Sequence, residues 1–169
     1  MMLTGKAFKF GDSISTDHIV PGRLAHLRSN LPELAKHVLE DADPEFAQKV
    51  SPGDFVVAGK NFGMGSSREH APIVLKMAGV SAVLASSCAR IFFRNAINIG
   101  LPVLICDTEK IDYGASLEVD LPGGTIHNLS NGAKLTFGKI PSAMLSILEE
   151  GGLLPYIKKH GDFMLKEGS

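Results

Sequence analysis

The sequence predicts a single α/β domain, residues 1–169, with a mixed, strand-rich core, and three observations carry that expectation. At 169 residues the chain suits one core and is short for two well-built domains. Apolar runs of about four residues, bounded by Gly, Asp or Ser, alternate with stretches of helical period in the first two-thirds. Gly (18) and Pro (9) are frequent without reaching low-complexity levels, so many tight turns are expected.

Taken in order, Ala7 to Phe10, Phe55 to Ala58, Ala82 to Ala85 and Pro102 to Cys106 read as buried strands. Ser116 to Asp120, Thr125 to Asn128 and Lys134 to Phe137 follow at close spacing, with turn chemistry at Pro122-Gly123-Gly124 and Ser130-Asn131-Gly132, and so read as a β-meander. Helices are expected at Pro32 to Glu40, Pro72 to Ala78, Ala89 to Ile99, Pro141 to Glu150 and Pro155 to His160. Pro32 and Pro141 suit first-turn positions, and Gly79, Gly100 and Gly151 suit left-handed stops.

Composition excludes several classes. Hydrophobic residues at 44% and charged residues at 21% rule out a disordered chain, and a net charge of −1 lacks the basic excess that phosphate-backbone binding demands, so nucleic acid is not an expected partner. No apolar run approaches the roughly 18 residues of a membrane span, and Met1 to Phe10 lacks a signal peptide's apolar segment, so no membrane is expected and the cytoplasm is the expected location. Cys88 and Cys106 form no Cys-x-x-Cys pair, and two lone thiols fall short of the three or four ligands that zinc or an iron–sulfur cluster usually takes. If a cluster is involved, another chain supplies most of its ligands.

Chemistry concentrates in Gly63-Met64-Gly65-Ser66-Ser67-Arg68-Glu69-His70, a glycine-rich turn between a strand and a helix, where backbone N–H groups and the helix dipole favour a carboxylate or phosphate. Pro72 keeps an undistorted helix from starting before about Glu69, which leaves Ser66, Ser67 and Arg68 on the turn. Two hydroxyls beside a guanidinium suit a carboxylate. A competing reading is a capping box, Ser66 with Glu69. The glycines fail as a dinucleotide fingerprint, because Arg68 stands where the last glycine belongs, and no Gly-x-Ser-x-Gly elbow occurs. Asp12 to Arg23 reads as Asx and Ser/Thr turns with a structural His18. In Ser86 to Asn98 the spacing of Ile91, Phe93 or Arg94, and Ile97 points to a core face, with Arg90 and Arg94 at the surface or an interface.

Together, Ser15-Thr16-Asp17-His18-Ile19, Gly63 to His70 and Ala89-Arg90-Ile91-Phe92-Phe93-Arg94-Asn95-Ala96 resemble the small subunits of 3-isopropylmalate dehydratase and homoaconitase, counterparts of the aconitase swivelling domain. The resemblance runs from Gly5 to about His160 and implies a swivelling-domain-like β/β/α fold. It implies a hydro-lyase that moves a hydroxyl between neighbouring carbons of a malate-like hydroxy acid through an unsaturated intermediate. It also implies a heterodimer or heterotetramer whose large subunit carries a [4Fe-4S] cluster, with no cofactor bound by this chain. Carried over by motif, Ser66 is the general base, Ser67 and Arg68 hold a substrate carboxylate, and Asp17 orients a polar group of the large chain. Its alkoxide would need N–H donors and Arg68 to stabilise it.

The loop that selects the substrate in relatives reads here Leu24-Ala25-His26-Leu27-Arg28-Ser29, with His26 at the selecting place and Arg28 two residues on. Its apolar members favour an alkyl substituent over a third carboxylate. The expected substrate is 2-isopropylmalate, the product 3-isopropylmalate. 2,3-Dimethylmalate, citramalate and homocitrate stay open, as does a small-anion-binding module without chemistry.

Overall fold

A computed structural model describes residues 1–66 and 68–161. Seven strands form one mixed sheet in the order β4-β3-β2-β1-β5-β6-β7: β1 Met2–Lys9, β2 Phe55–Ala58, β3 Ala82–Ala85, β4 Val103–Ile105, β5 Ser116–Asp120, β6 Thr125–Asn128 and β7 Lys134–Thr136. Strand β1 is the seam. Its first half pairs antiparallel with β5, Met2 opposite Asp120 through Lys6 opposite Ser116, and its last three residues pair parallel with β2, Ala7 opposite Phe55. The strand therefore starts five residues before the expected Ala7. Its early half alternates exposed and half-buried residues and lacks a solid apolar run, so only the fully buried half announced itself.

Strands β2 and β3 are buried on both faces, as parallel strands between two layers must be. Their alternation sends Val56, Ala58, Val83 and Ala85 into a core shared with the helices, and Phe55, Val57, Ala82 and Leu84 into a second core shared with Leu117, Ile126, Leu135 and Phe137 of the antiparallel half. The sheet thus curls over itself. The Gly138 N–H, just past β7, reaches the Ile105 carbonyl of edge strand β4 at 3.2 Å, bringing the two sheet edges together and completing β/β/α layering.

The helices are α1 Thr16–Ile19, α2 Leu31–Ala35, α3 Phe46–Lys49, α4 His70–Met77, α5 Arg90–Asn98, α6 Ser142–Glu149 and α7 Leu153–His160, with 3-10 turns at Gly22–Leu27 and Thr108–Lys110. Helix α2 is shorter than the expected Pro32 to Glu40. The chain leaves helical geometry so that Leu39, at φ 57°, buries its side chain fully and donates its N–H to the Ile19 carbonyl. Helices α1 and α3 are single turns, too short to show a period. The stops hold: Gly79, Gly100 and Gly151 have φ of 111°, 85° and 91°.

One member of the face expected for α5 needs correction: Ile97 is buried and Phe93 packs against the helix-side core, but Ile91 does not join them. Phe92, Ala96 and Ile97 are its buried residues, whereas Ile91 is 54% exposed. The register is set from outside the helix, because Phe92 packs edge-on against Phe62 with ring centroids 5.2 Å apart.

Candidate functional site

Parallel strands β1, β2 and β3 all deliver their C-terminal ends to one edge of the sheet, the place where open α/β sheets bind ligands. Backbone hydrogen bonds stitch the three following loops together. The Gly63 N–H donates to the Ile14 carbonyl (2.7 Å), that of Thr16 to Met64 (2.9 Å), that of Phe62 to Ser87 (3.1 Å) and that of Ala89 to Phe62 (2.8 Å). The glycine-rich turn is therefore held on both sides. Gly63 has φ 76°, and a Cβ there would lie 2.4 Å from Cγ of Phe92, so no other residue fits.

Helix α1 opens the first loop with a capping box formed by Ser15 and His18. The His18 N–H donates to Ser15 Oγ, and the Ser15 N–H donates to His18 Nδ1 at 2.9 Å. His18 is structural, as expected, and its box presents Thr16 and Asp17 to the turn. The buried Thr16 hydroxyl donates to the Ser66 carbonyl (2.9 Å).

Arg68 ties the turn to α1. Its Nη1 donates to Asp17 Oδ1 (3.0 Å) and to the Val20 carbonyl (2.6 Å), and its Nε donates to Ser66 Oγ (3.2 Å). Asp17 Oδ1 also accepts the Gly22 N–H (2.9 Å), while its side chain stays 65% exposed. Ser66, Arg68 and Asp17 thus form one connected group. The capping-box reading of Ser66 with Glu69 fails, because α4 begins at His70 with Glu69 at the cap position and no side-chain cap bond. The Ser66 hydroxyl accepts from a guanidinium instead. Such a donor stabilises an alkoxide, and Ser66 is exposed.

Ser66 and Arg68, with Thr16, Gly63 and Gly65, line one wall of a cavity of about 200 Å3. Its opposite side comes from α5: Arg90, Ile91, Phe92 and Asn95. The helix whose first turn borders the cavity is therefore α5, and α4, expected from the sequence to present its start there, contributes no lining residue. Thr16, Arg90 and Asn95 were not singled out from the sequence as ligand contacts. Thr16 stood inside a quoted motif, but its hydroxyl's partner is 50 residues away.

His26 and Arg28 are exposed, on and just after the Gly22–Leu27 turn, and neither lines the cavity. Leu24 and Leu27 pack against the helix-side core, so the apolar character of that loop is used for folding. Ser67 lies outside the described residues.

Burial pushes the thiols of Cys88 and Cys106 up to about 12, offset at Cys88 by a backbone N–H from Phe93 and reinforced at Cys106 by the nearby Asp107 carboxylate. Among the described residues no group of three His, Cys, Asp or Glu could hold a metal ion. The residues present do not fit an iron–sulfur cluster, which takes thiolates. No described helix is long and apolar enough to cross a membrane.

Comparison with known proteins agrees with the fold. Residues 14–108, which span the site loops and the parallel strands from β2 to β4, match the Aconitase C-terminal domain. That defines the class: a domain of the aconitase C-terminal type. The chain is 66% identical over 165 residues to 3-isopropylmalate dehydratase small subunit 2 of Archaeoglobus fulgidus, covering 98% of this chain and 100% of that protein. It is 52% identical to the isopropylmalate/citramalate isomerase small subunit of Methanocaldococcus jannaschii, covering 94% and 95%. The crystal structure of a 3-isopropylmalate dehydratase from the latter organism superposes with a TM-score of 0.90 at 43% identity, covering 99% of this chain and 100% of that one. The chain belongs to the 3-isopropylmalate dehydratase small-subunit family of aconitase-type proteins.

Proposed function

We propose that this chain is the small subunit of a two-chain hydro-lyase that interconverts 2- and 3-isopropylmalate, a step of leucine biosynthesis, in the cytoplasm; the reading is supported by relatives named 3-isopropylmalate dehydratase small subunit. One observation carries the reading: the hydrogen bond from Arg68 Nε to Ser66 Oγ, in a cavity at the C-terminal edge of the parallel strands.

A serine hydroxyl is a poor base in water, and a permanently charged guanidinium 3.2 Å away favours its alkoxide. In the reaction the Ser66 alkoxide takes the proton from the carbon beside a carboxylate, the electron pair of that C–H bond forms the double bond, and the hydroxyl leaves the neighbouring carbon. Rehydration in the opposite sense returns the proton and completes the shift. Arg68 Nη2, which has no protein partner among the described residues, holds the substrate carboxylate together with Ser67. Asp17 keeps the Arg68 guanidinium aimed through Oδ1 and offers its exposed Oδ2 to a polar group of the large subunit.

A [4Fe-4S] cluster held by the large subunit would supply Lewis-acid polarisation of the substrate hydroxyl. The thiols of this chain take no part in holding it. A second reading, the same chemistry on citramalate, is favoured by the 52% identity to the isopropylmalate/citramalate isomerase small subunit.

The test is reconstitution. Mixed with a cluster-bearing large subunit, the chain should dehydrate 2-isopropylmalate, with citramalate as the competing substrate. A chain that binds malates tightly alone and never supports turnover would be an anion-binding module instead.

A further inference from the structure

We infer that His18 is a positioning residue for the Ser66 base and acts only while its Nδ1 is unprotonated, so that the protonation state of one exposed imidazole governs the geometry of the site. The inference rests on the function proposed above and adds a control of that same site.

The cap geometry fixes which form of the ring is needed. The Ser15 N–H can only donate, and it lies 2.9 Å from His18 Nδ1, so that nitrogen must carry a lone pair and the ring proton sits on Nε2. A protonated imidazole donates from both nitrogens and sets N–H against N–H at this place. The Ser15 hydroxyl, also 2.9 Å from Nδ1, can accept the added proton, but the Ser15 N–H then has no acceptor. A capping box ordinarily uses Glu or Gln here, and Gln accepts the same bond at every pH.

Two supports of Ser66 start from the residues that this box holds. Thr16, next to Ser15, donates its N–H to the Met64 carbonyl and its hydroxyl to the Ser66 carbonyl. Asp17 accepts from Arg68 Nη1, and Arg68 Nε donates to Ser66 Oγ. A shift of the cap therefore moves the serine backbone and the guanidinium that stabilises its alkoxide together. Helix α1 is a single turn and cannot hold its start by its own hydrogen bonds. The charged groups around the ring are Asp17, paired with Arg68, and Asp41, paired with Arg23, which also binds Glu40. The Asp41 carboxyl is held low first by Arg23 and to a lesser degree by the charge of His18.

The experiment measures kcat and KM for 2-isopropylmalate with the reconstituted complex at saturating large subunit, from about pH 8 down to about pH 5.5, where histidines change charge. Each variant is expressed as a ratio to the unmutated chain, so that titrations belonging to the large subunit cancel. The kcat ratio of His18→Gln should rise about fivefold toward acid, the effect of one hydrogen bond on an order–disorder equilibrium. His18→Ala, which lacks the acceptor at every pH, should lower kcat more than it raises KM already at pH 8, and Gln should restore most of that loss. A flat His18→Gln ratio, or a His18→Ala chain with full kcat at pH 8, overturns the inference. A readout without activity comes from NMR of the free, unmutated chain: the Ser15 and Thr16 amide signals should move together with the His18 ring titration, and amides that stay still overturn the inference even if a variant fails to fold. Failure of the unmutated complex to act on any substituted malate overturns the proposed function instead, and the amide titration still decides whether His18 governs the cap.

Discussion

Ser66 and Arg68 stand two residues apart, yet they reach each other only because Asp17 and Val20, about fifty residues earlier, fix the guanidinium. Removing the hydroxyl should therefore affect chemistry and little else. Ser66→Ala is expected to lower kcat by roughly 10²–10⁴-fold, the usual contribution of a general base, with melting temperature and assembly unchanged. Loss of stability with full activity in the folded fraction would contradict that role. Thr16 acts through the same serine, since its hydroxyl holds the Ser66 carbonyl. Thr16→Val should lower kcat more than it raises KM, and Thr16→Ser should restore it. The two thiols make a separate point. Their folded values lie near 12 against an ordinary 9.0, so the neutral form is the one favoured by folding. Their stabilising contribution is complete below about pH 9 and fades as pH rises from 9 toward 12. Denaturant melts at pH 8 and pH 11 should show the drop, and alkylation of the native chain at pH 8 should be far slower than that of the unfolded chain. The motif residues were legible in the sequence because their types are unusual together. The partner of Thr16 was not, because a hydrogen bond across 50 residues leaves no local trace.

At the scale of elements, apolar runs and glycine stops placed β2, β3, β5 and β6 at their observed bounds and the longer helices, α4 to α7, within two residues. Single-turn helices and the exposed half of β1 escaped, since each draws its stability from distant pairing rather than from its own pattern. The register of α5 escaped for a related reason: Gly63 leaves room for Phe92 that no helical period could announce. Gly63→Ala should cost about 2 kcal/mol or more, combining left-handed strain with overpacking, and Phe92→Ala in the same chain should recover part of it. A thermal double-mutant cycle reads that coupling, and simple additivity would show that the two positions do not meet. Lys76 is the other device at this scale. Its amine, its pKa lowered by burial, donates to the Ile99 carbonyl at the end of α5 (2.7 Å) and to the Gly151 carbonyl past α6 (3.3 Å). Lys76→Met should cost about 1 kcal/mol in urea melts, the scale of a cation at a helix C-terminus, and a cost near zero would mean that water replaces the amine.

For the whole molecule, strand count and the meander were readable, whereas the order β4-β3-β2-β1-β5-β6-β7 and its curled closure were not, because pairing partners far apart in sequence carry no local signature. That topology determines what the chain can do alone. It gathers Ser66, Arg68 and Asp17 at one sheet edge, but Ser66 is exposed and its cavity of about 200 Å3 opens to solvent. In water an alkoxide is paid for by solvent reorganisation, and the preorganised donor from Arg68 is screened. Under the proposed function Ser66 is thus half of a site that would become dry only when the large subunit covers it. The isolated protein should therefore be colourless, retain no iron after purification and show no dehydratase activity, and adding a cluster-bearing large subunit should raise activity to saturation at a fixed stoichiometry. Metal analysis and a titration of rate against large subunit check this together. Turnover of a substituted malate by the purified chain, free of partner, would end the two-chain reading, since it would require a dry site and a Lewis acid that the described residues do not supply.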